Sequence, residues 1–306
     1  MPIQQRLAQT SPASSPVTDQ QAAAPDRQSR YGNGFLAEQL ANDPAGRETM
    51  PQTDQARQPE QASAPVAPLK VRNPLPVVPG EQRRTVLGVQ IIGRGVSPSA
   101  LDACEALVRL ELGQREDIQQ RMQRAHVALV IIPRDRRMTD VAEFENLKGT
   151  PTIDGRGFDD VRGSGGMAAG GLWAIAVPEE NLVEAGTSGP LMANGKAPNP
   201  YADGYSVGMH ELAHTVEAKG LTSAERRRVI ELYEAHKLAG GPWTEAYGAS
   251  NEREYFAQST NCYFGQNERV GANGADWLQA NDPAMHTFLG TVYGPASTGR
   301  SQPAVA

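Results

Sequence analysis

Two histidines four residues apart with a glutamate after the first, His210-Glu211-Leu212-Ala213-His214, are the residues of this chain best placed to do chemistry. On a helix, positions i and i+4 lie on one face a turn apart, so both imidazoles can offer a nitrogen to one metal ion. Glu211 then stands beside the ion without binding it. There a carboxylate can take a proton from activated water and pass it to a leaving amine, which is the division of labour in zinc-assisted hydrolysis of an amide bond. The plain alternative is a surface helix that happens to carry two histidines and a glutamate.

A catalytic zinc commonly takes three protein ligands and leaves a position open. A histidine six residues beyond the second would fall on Gly220, which excludes the metzincin spacing. Glu234 lies 20 residues beyond His214, as a thermolysin-like arrangement needs, but Ala235 and Leu238 occupy the positions where an aspartate is expected. It reads as an exposed helix acid. His236 and His286 have no ligand-like neighbourhood, and His126, at the edge of a strand, reads as structural. Glu254 remains, in YGASNEREYFAQ, 40 residues after His214. It precedes Tyr255, Phe256 and Ala257, which suits a carboxylate at the buried edge of a helix packed on the metal helix. Its alternative is a helix acid stabilised by the dipole, or part of an Asn251 capping box. Glu252, one step round the helix, should face water.

Holding these groups together needs a folded frame, and only part of the 306 residues reads as one. Residues 1–80 carry 12 of the 23 prolines, with Tyr31 and Phe35 as their only aromatics. Such a leader buries too little apolar surface to offset its ordering entropy and is expected to be disordered. Within it, residues 30–41 form a short amphipathic stretch suited to docking or to a transient helix. Residues 85–294 have a globular pattern with room for one substantial core, and 295–306 read as a disordered tail. The net charge of −6 argues against nucleic acid as a main partner. Arg226, Arg227 and Arg228 spread around a helix as a solvated face. No apolar stretch approaches the roughly 18 residues of a membrane span. The first residues lack the apolar core of a secretory signal, so cytoplasmic synthesis without classical export is expected. Cys104 and Cys262 are too few for a disulfide framework and read as reduced core residues.

Along the folded part, 85–95 reads as a strand and turn, and Ser97-Pro98 opens a helix with a serine cap and proline at its first position. A second helix is expected over 115–125 and a buried strand over 126–133. Residues 154–171 read as a glycine-rich loop; no lysine-serine or lysine-threonine pair follows it, which argues against a nucleotide site. A strand at 172–177 stops at Pro178 and could offer its edge to an extended peptide, or be an ordinary core strand. After a loop at 186–200, the metal helix is expected over 205–220 with Gly220 as its cap. Thr222 and Glu225 form a capping box for the next helix, to about 238. A helix over 251–264 and two short ones over 275–293 complete the chain.

HELAH followed by YGASNEREYFA resembles the catalytic domain of anthrax toxin lethal factor and its gluzincin relatives, including the proline-specific zinc endopeptidases of clostridia. In lethal factor the second helix bears N-x-x-E-F-F-A, and its glutamate is the third zinc ligand. The match falls on Asn251, Glu254, Phe256 and Ala257. The resemblance therefore implies zinc held by His210, His214 and Glu254. The family also places a tyrosine seven residues before that ligand, where its hydroxyl helps stabilise the oxyanion; here the position is Tyr247. VRGSGGM with LWAIAVPEENL is similar to the glycine-rich stretch and substrate-side strand ahead of the metal helix in these domains. The chain departs from the pattern at Tyr255, in place of a phenylalanine, and at Gln258, where lethal factor has a second glutamate. Glu217, a turn after His214, could orient an imidazole instead, or be a solvated acid. No counterpart of lethal factor's recruiting domains is visible, so its partner proteins are not carried over.

These readings together lead us to expect an α+β, zincin-like domain with a small sheet packed on the HELAH helix and a helical C-terminal part. The expected activity is zinc-dependent endopeptidase, with Glu211 as base, Tyr247 as oxyanion donor and a peptide bound as an extended strand. The leader and the toxin-like domain suit an effector delivered by a specialised secretion machine. A competing expectation is a binding module in which zinc merely staples two helices, although such a staple has no need of Glu211.

Overall fold

The apolar run VALVII is buried at every position because it is the middle strand of a five-stranded sheet with material on both faces. The computed structural model describes residues 80–152, 155–183, 205–267 and 271–295. Residues 1–79 of the leader with its 30–41 stretch, the 186–200 loop and the tail from 296 lie outside the described residues. Across the sheet the order is β1 (Glu81–Val86), β2 (Val89–Arg94), β3 (Val127–Ile132), β5 (Leu172–Pro178) and β4 (Ser164–Ala169). β2, β3 and β5 run parallel, and β1 and β4 close the two edges antiparallel.

Alternation along the strands divides the core in two. Val127, Leu129 and Ile131 join Ile91, Ile175 and Val177 on the face covered by helices. Ala128, Val130 and Ile132 join Ile92, Ala174 and Ala176 on the other face, under Met138, Val141, Phe144 and Phe158 from the long connection between β3 and β4. A strand buried on both faces loses the polar–apolar alternation and keeps only the apolar run.

The helices are α1 (Pro98–Leu112), α2 (Glu116–Arg124), α3 (Glu179–Val183), α4 (Val207–Thr215), α5 (Ser223–Ala239), α6 (Glu252–Tyr263), α7 (Ala275–Asn281) and α8 (Pro283–Tyr293). The architecture is α+β, with a mixed sheet and a helical C-terminal part, as the sequence led us to expect. The Ser97 hydroxyl accepts from Ala100 N at 3.3 Å to start α1, and the Thr222/Glu225 capping box starts α5. Cys104 and Cys262 are free and buried, and burial pushes both thiols up to about 12. Among the described residues, no helix is long and apolar enough to cross a membrane.

Four local expectations need correction. The first strand is a hairpin: Leu87 and Gly88 turn the chain with φ of 49° and 84°, and the leucine hides the turn from sequence. The glycine-rich stretch 154–171 contains strand β4. β5 is paired on both sides, by β3 and β4, so the open edge on this side of the sheet belongs to β4. Finally, the metal helix runs to Gly220 as expected, but its last five residues, Val216–Gly220, form a π-turn capped at Leu221, whose N donates to Val216 O at 2.8 Å. Gly220 is needed for close packing, since a Cβ there would stand 2.9 Å from Ile118 Cγ2.

Candidate metal centre

All nine residues of α4 are buried, and its N-terminus is fixed by side chains from three directions. Ser206 caps the helix by accepting from Met209 N at 3.2 Å. The Asn181 carboxamide straddles the entry, donating to Tyr205 O at 2.7 Å and accepting from Val207 N at 2.8 Å. Asn261, on α6, donates to Ser206 O at 3.0 Å. The first turn of α6 is set by Asn251, whose Oδ1 accepts from Arg253 N at 3.0 Å and Glu254 N at 3.1 Å. α6 packs against α4 through Phe256 and Ala257, which carries Glu254 to the histidines.

The three side chains converge on one point. His210 Nε2 and His214 Nε2 are 3.0 Å apart. Glu254 places Oε2 3.2 Å from the first and Oε1 3.4 Å from the second. The side chains are 1%, 3% and 3% exposed, and their ligand atoms lie within 4.8 Å of one another. Burial first, and then the charge of His214, push the His210 imidazole below its ordinary value despite Glu254. Burial alone would raise Glu254, but the charge of His214 and the bonds from both imidazoles outweigh it and hold the carboxyl at about 2. A neutral imidazole and an ionised carboxylate are the forms that bind a cation. Two nitrogens and one carboxylate in a dry pocket fit a divalent metal ion.

Glu211 lies beside this cluster on the first turns of α4, 1% exposed. Burial pushes its carboxyl well above the usual carboxylate range and the charge of Glu254 adds to this, while Arg156 and the Gly165 amide oppose it. Among the described residues, Glu211 Oε2 is buried with no hydrogen-bond partner. The start of β4 can lie against this carboxylate because residue 163 is glycine: a Cβ there would be 3.3 Å from Glu211 Oε1 and would collide with Val207. Farther along, Gly166 N donates to Thr215 Oγ1 at 3.2 Å, which ties β4 to the end of the metal helix.

Tyr247 sits in a short 3-10 turn, Ala246–Ala249, and packs with Tyr205 and Val207 as a small buried cluster at the start of α4. Ser250 Oγ donates to its carbonyl at 2.7 Å. Tyr205, which the sequence reading did not single out, places its ring 5.7 Å from that of His210. Nothing in the local sequence marks it, because its relation to the site is made by tertiary packing. Arg156, also unforeseen, acts on Glu211 from the β3–β4 connection.

The remaining residues weighed from sequence lie apart from the cluster. Glu217 is buried and its carboxylate lies 3.9 Å from Arg253 Nε; its charge couples to His214 as well. Glu234 is exposed and Glu252 half-buried. His236 places Nδ1 3.1 Å from Asp282 Oδ2 and stacks on Tyr255. His286 packs against Tyr263, and His126 occupies a left-handed turn with φ of 53°.

No protein-family model and no curated protein matches the sequence. Among solved structures, the chain is similar to the Pro-Pro endopeptidase PPEP-2 from Paenibacillus alvei, with a TM-score of 0.45 and 15% identity over 66% of this chain and 97% of that one. So loose an overlay transfers no residue roles, and those assigned below rest on this chain's own geometry.

Proposed function

We propose that the chain is a zinc-dependent endopeptidase in which His210, His214 and Glu254 hold the metal and Glu211 is the general base. The observation that carries this reading is the Glu211 carboxyl, 1% exposed and set beside a three-ligand cluster. A purely structural zinc needs the three ligands and nothing more, whereas a buried acid beside them is costly unless used. When bound, zinc supplies the Lewis acidity that makes water a competent nucleophile near neutral pH. Glu211 accepts the proton from the attacking water and returns it to the leaving amine, the role a carboxylate beside the ligand cluster can fill. Tyr247 supplies a hydroxyl to the developing oxyanion, from a turn packed on the first residues of α4.

The substrate on this reading is a peptide in extended form. β4 is the edge strand nearest the metal helix, and on this reading the peptide adds to the sheet beside it. Zinc content and cleavage of a peptide library, measured on wild type and on Glu211→Gln, test the reading. One zinc per chain in both proteins, with cleavage in wild type alone, is the expected result. Retained proteolysis in Glu211→Gln would sink the mechanism. Zinc in both with cleavage in neither, under all conditions tried, would leave a zinc-stapled binding module instead.

A further inference from the structure

Gln258 occupies the turn of α6 after Glu254 and is fully buried. Its Nε2 lies 3.3 Å from the Tyr205 hydroxyl and 3.1 Å from Glu245 Oε1. A primary amide nitrogen carries two hydrogens, so one group can serve both acceptors at once. The orientation of the amide is assigned from its partners, with the nitrogen donating to the Glu245 carboxyl oxygen and to the Tyr205 hydroxyl oxygen. Three segments of the site meet on this atom. Tyr205 is the residue before the cap of α4, and its ring lies against His210. Glu245 is two residues ahead of Tyr247, at the entry to the turn that carries it. Gln258 itself belongs to the helix that delivers Glu254.

Tyr233 OH donates to Ala249 O at 2.9 Å at the far end of this turn, and Ala272 N donates to Thr244 O at 2.7 Å ahead of it. Gly248 packs on the Gln258 stem, where a Cβ would be 3.6 Å from Gln258 Cβ. The amide thus meets both the entry to the Tyr247 turn and the Tyr205 ring that stands beside His210.

We propose that Gln258 is a positioning residue: its amide nitrogen, bonded to Tyr205 and Glu245, holds Tyr247 and Tyr205 against the metal-binding helices without touching metal or substrate. This rests on the peptidase reading only for its kinetic consequence. A glutamate of the same shape cannot replace it, since a carboxylate facing Glu245 at this separation brings two acceptors together with no hydrogen between them.

The test compares wild type, Gln258→Glu and Gln258→Ala, each carrying 3-fluorotyrosine at position 247, by fluorine NMR and by zinc titration. Both variants should bind one zinc with unchanged affinity while the fluorine resonance shifts or broadens. On a cleaved peptide, kcat should fall on the order of 10²-fold with KM unchanged, the loss typical of a misplaced group in a site. Failure of the isosteric Gln258→Glu separates positioning by the amide hydrogens from simple packing, which the isostere would preserve. A fluorine resonance identical to wild type in both variants, or a wild-type kcat in Gln258→Glu, would overturn the proposal. If the wild type cleaves no peptide, the peptidase reading fails while the fluorine resonance still decides the positioning. Should the buried variants not fold, Glu245→Ala removes the same bond from the half-buried side; an unchanged resonance there would overturn the proposal equally.

Discussion

Replacing Glu111 by glutamine should change how the stability of the fold depends on pH, and the sign follows from where the carboxyl sits. Glu111 is on α1, 1% exposed, in an apolar setting where the Tyr293 hydroxyl bonds to its carboxyl. Burial pushes its pKa well above the ordinary 4.5, and the nearby Tyr293 hydroxyl, which favours the charged form, offsets this only in part. The folded carboxyl thus stays neutral over a range of pH in which the unfolded chain has already released its proton. The stability supplied by the neutral form is complete below the ordinary value of 4.5 and drains away as pH rises towards the folded value. Within that window one proton sets a slope of about 1.4 kcal/mol per pH unit. The glutamine variant has no proton to lose. Its unfolding free energy relative to wild type should therefore climb by that slope as pH rises. The offset at acid pH is a separate quantity, set by how the amide fits against Tyr293 on α8, whose hydroxyl lies 3.4 Å from Thr260 Oγ1 on α6. Urea titrations of both proteins with chelator present, over roughly pH 5 to 7.5, measure the slope directly. Parallel curves would refute the reasoning, because they would mean that the folded carboxyl ionises as easily as the unfolded one.

Glu254→Ala should remove the third ligand and with it the response to metal: zinc at 100 times its Kd should stabilise wild type by about 2.7 kcal/mol and leave the variant unmoved in a thermal melt. Tyr247→Phe should keep zinc and lower kcat by about 10²- to 10³-fold with little change in KM, and an unchanged turnover would remove the hydroxyl from the reaction. Asn251→Ala deletes the cap of α6 and should cost about 1 kcal/mol in denaturant unfolding, together with weaker zinc binding because Glu254 sits in the turn that is lost. Arg162→Ala should cost about 3–5 kcal/mol, since it strands the buried Glu180 carboxylate, now 2.7 Å from the Arg162 guanidinium; a loss below about 1 kcal/mol would mean that water reaches the pair.

The parts of the site legible in sequence are those fixed by short-range geometry. HELAH sets its two imidazoles by the helical repeat alone, and the Thr222 capping box and the Asn251 cap mark where the two following helices begin. What escaped is what tertiary packing decides. β4 is written as SGGMAA, a sequence with little intrinsic preference for a strand. It is extended because β5 supplies a ladder on one side and because a glycine at 166 leaves room for Trp173 and Thr215. The same glycines that disguise the strand as a loop allow it to approach the metal helix, so the local signal and the tertiary requirement point in opposite directions. LWAIAV reads as a strand while its neighbour does not, so the sequence leaves open whether β5 is an edge or a core strand, and the pairing with β4 makes it a core strand.

Gln258 shows the same limit from the other side. The sequence placed it where the resembling family carries a glutamate, and that substitution read as the loss of a carboxylate. Its surroundings give the amide a reason of its own, because Glu245, 13 residues earlier, already supplies the carboxylate. One acid and one amide can share hydrogens where two acids would repel or force a proton between them. This pairing is invisible in either residue alone and becomes readable only when the turn carrying Tyr247 is folded back onto α6. Residues that act through such pairs should therefore be sought by contact across elements, with the motif serving to say where to begin.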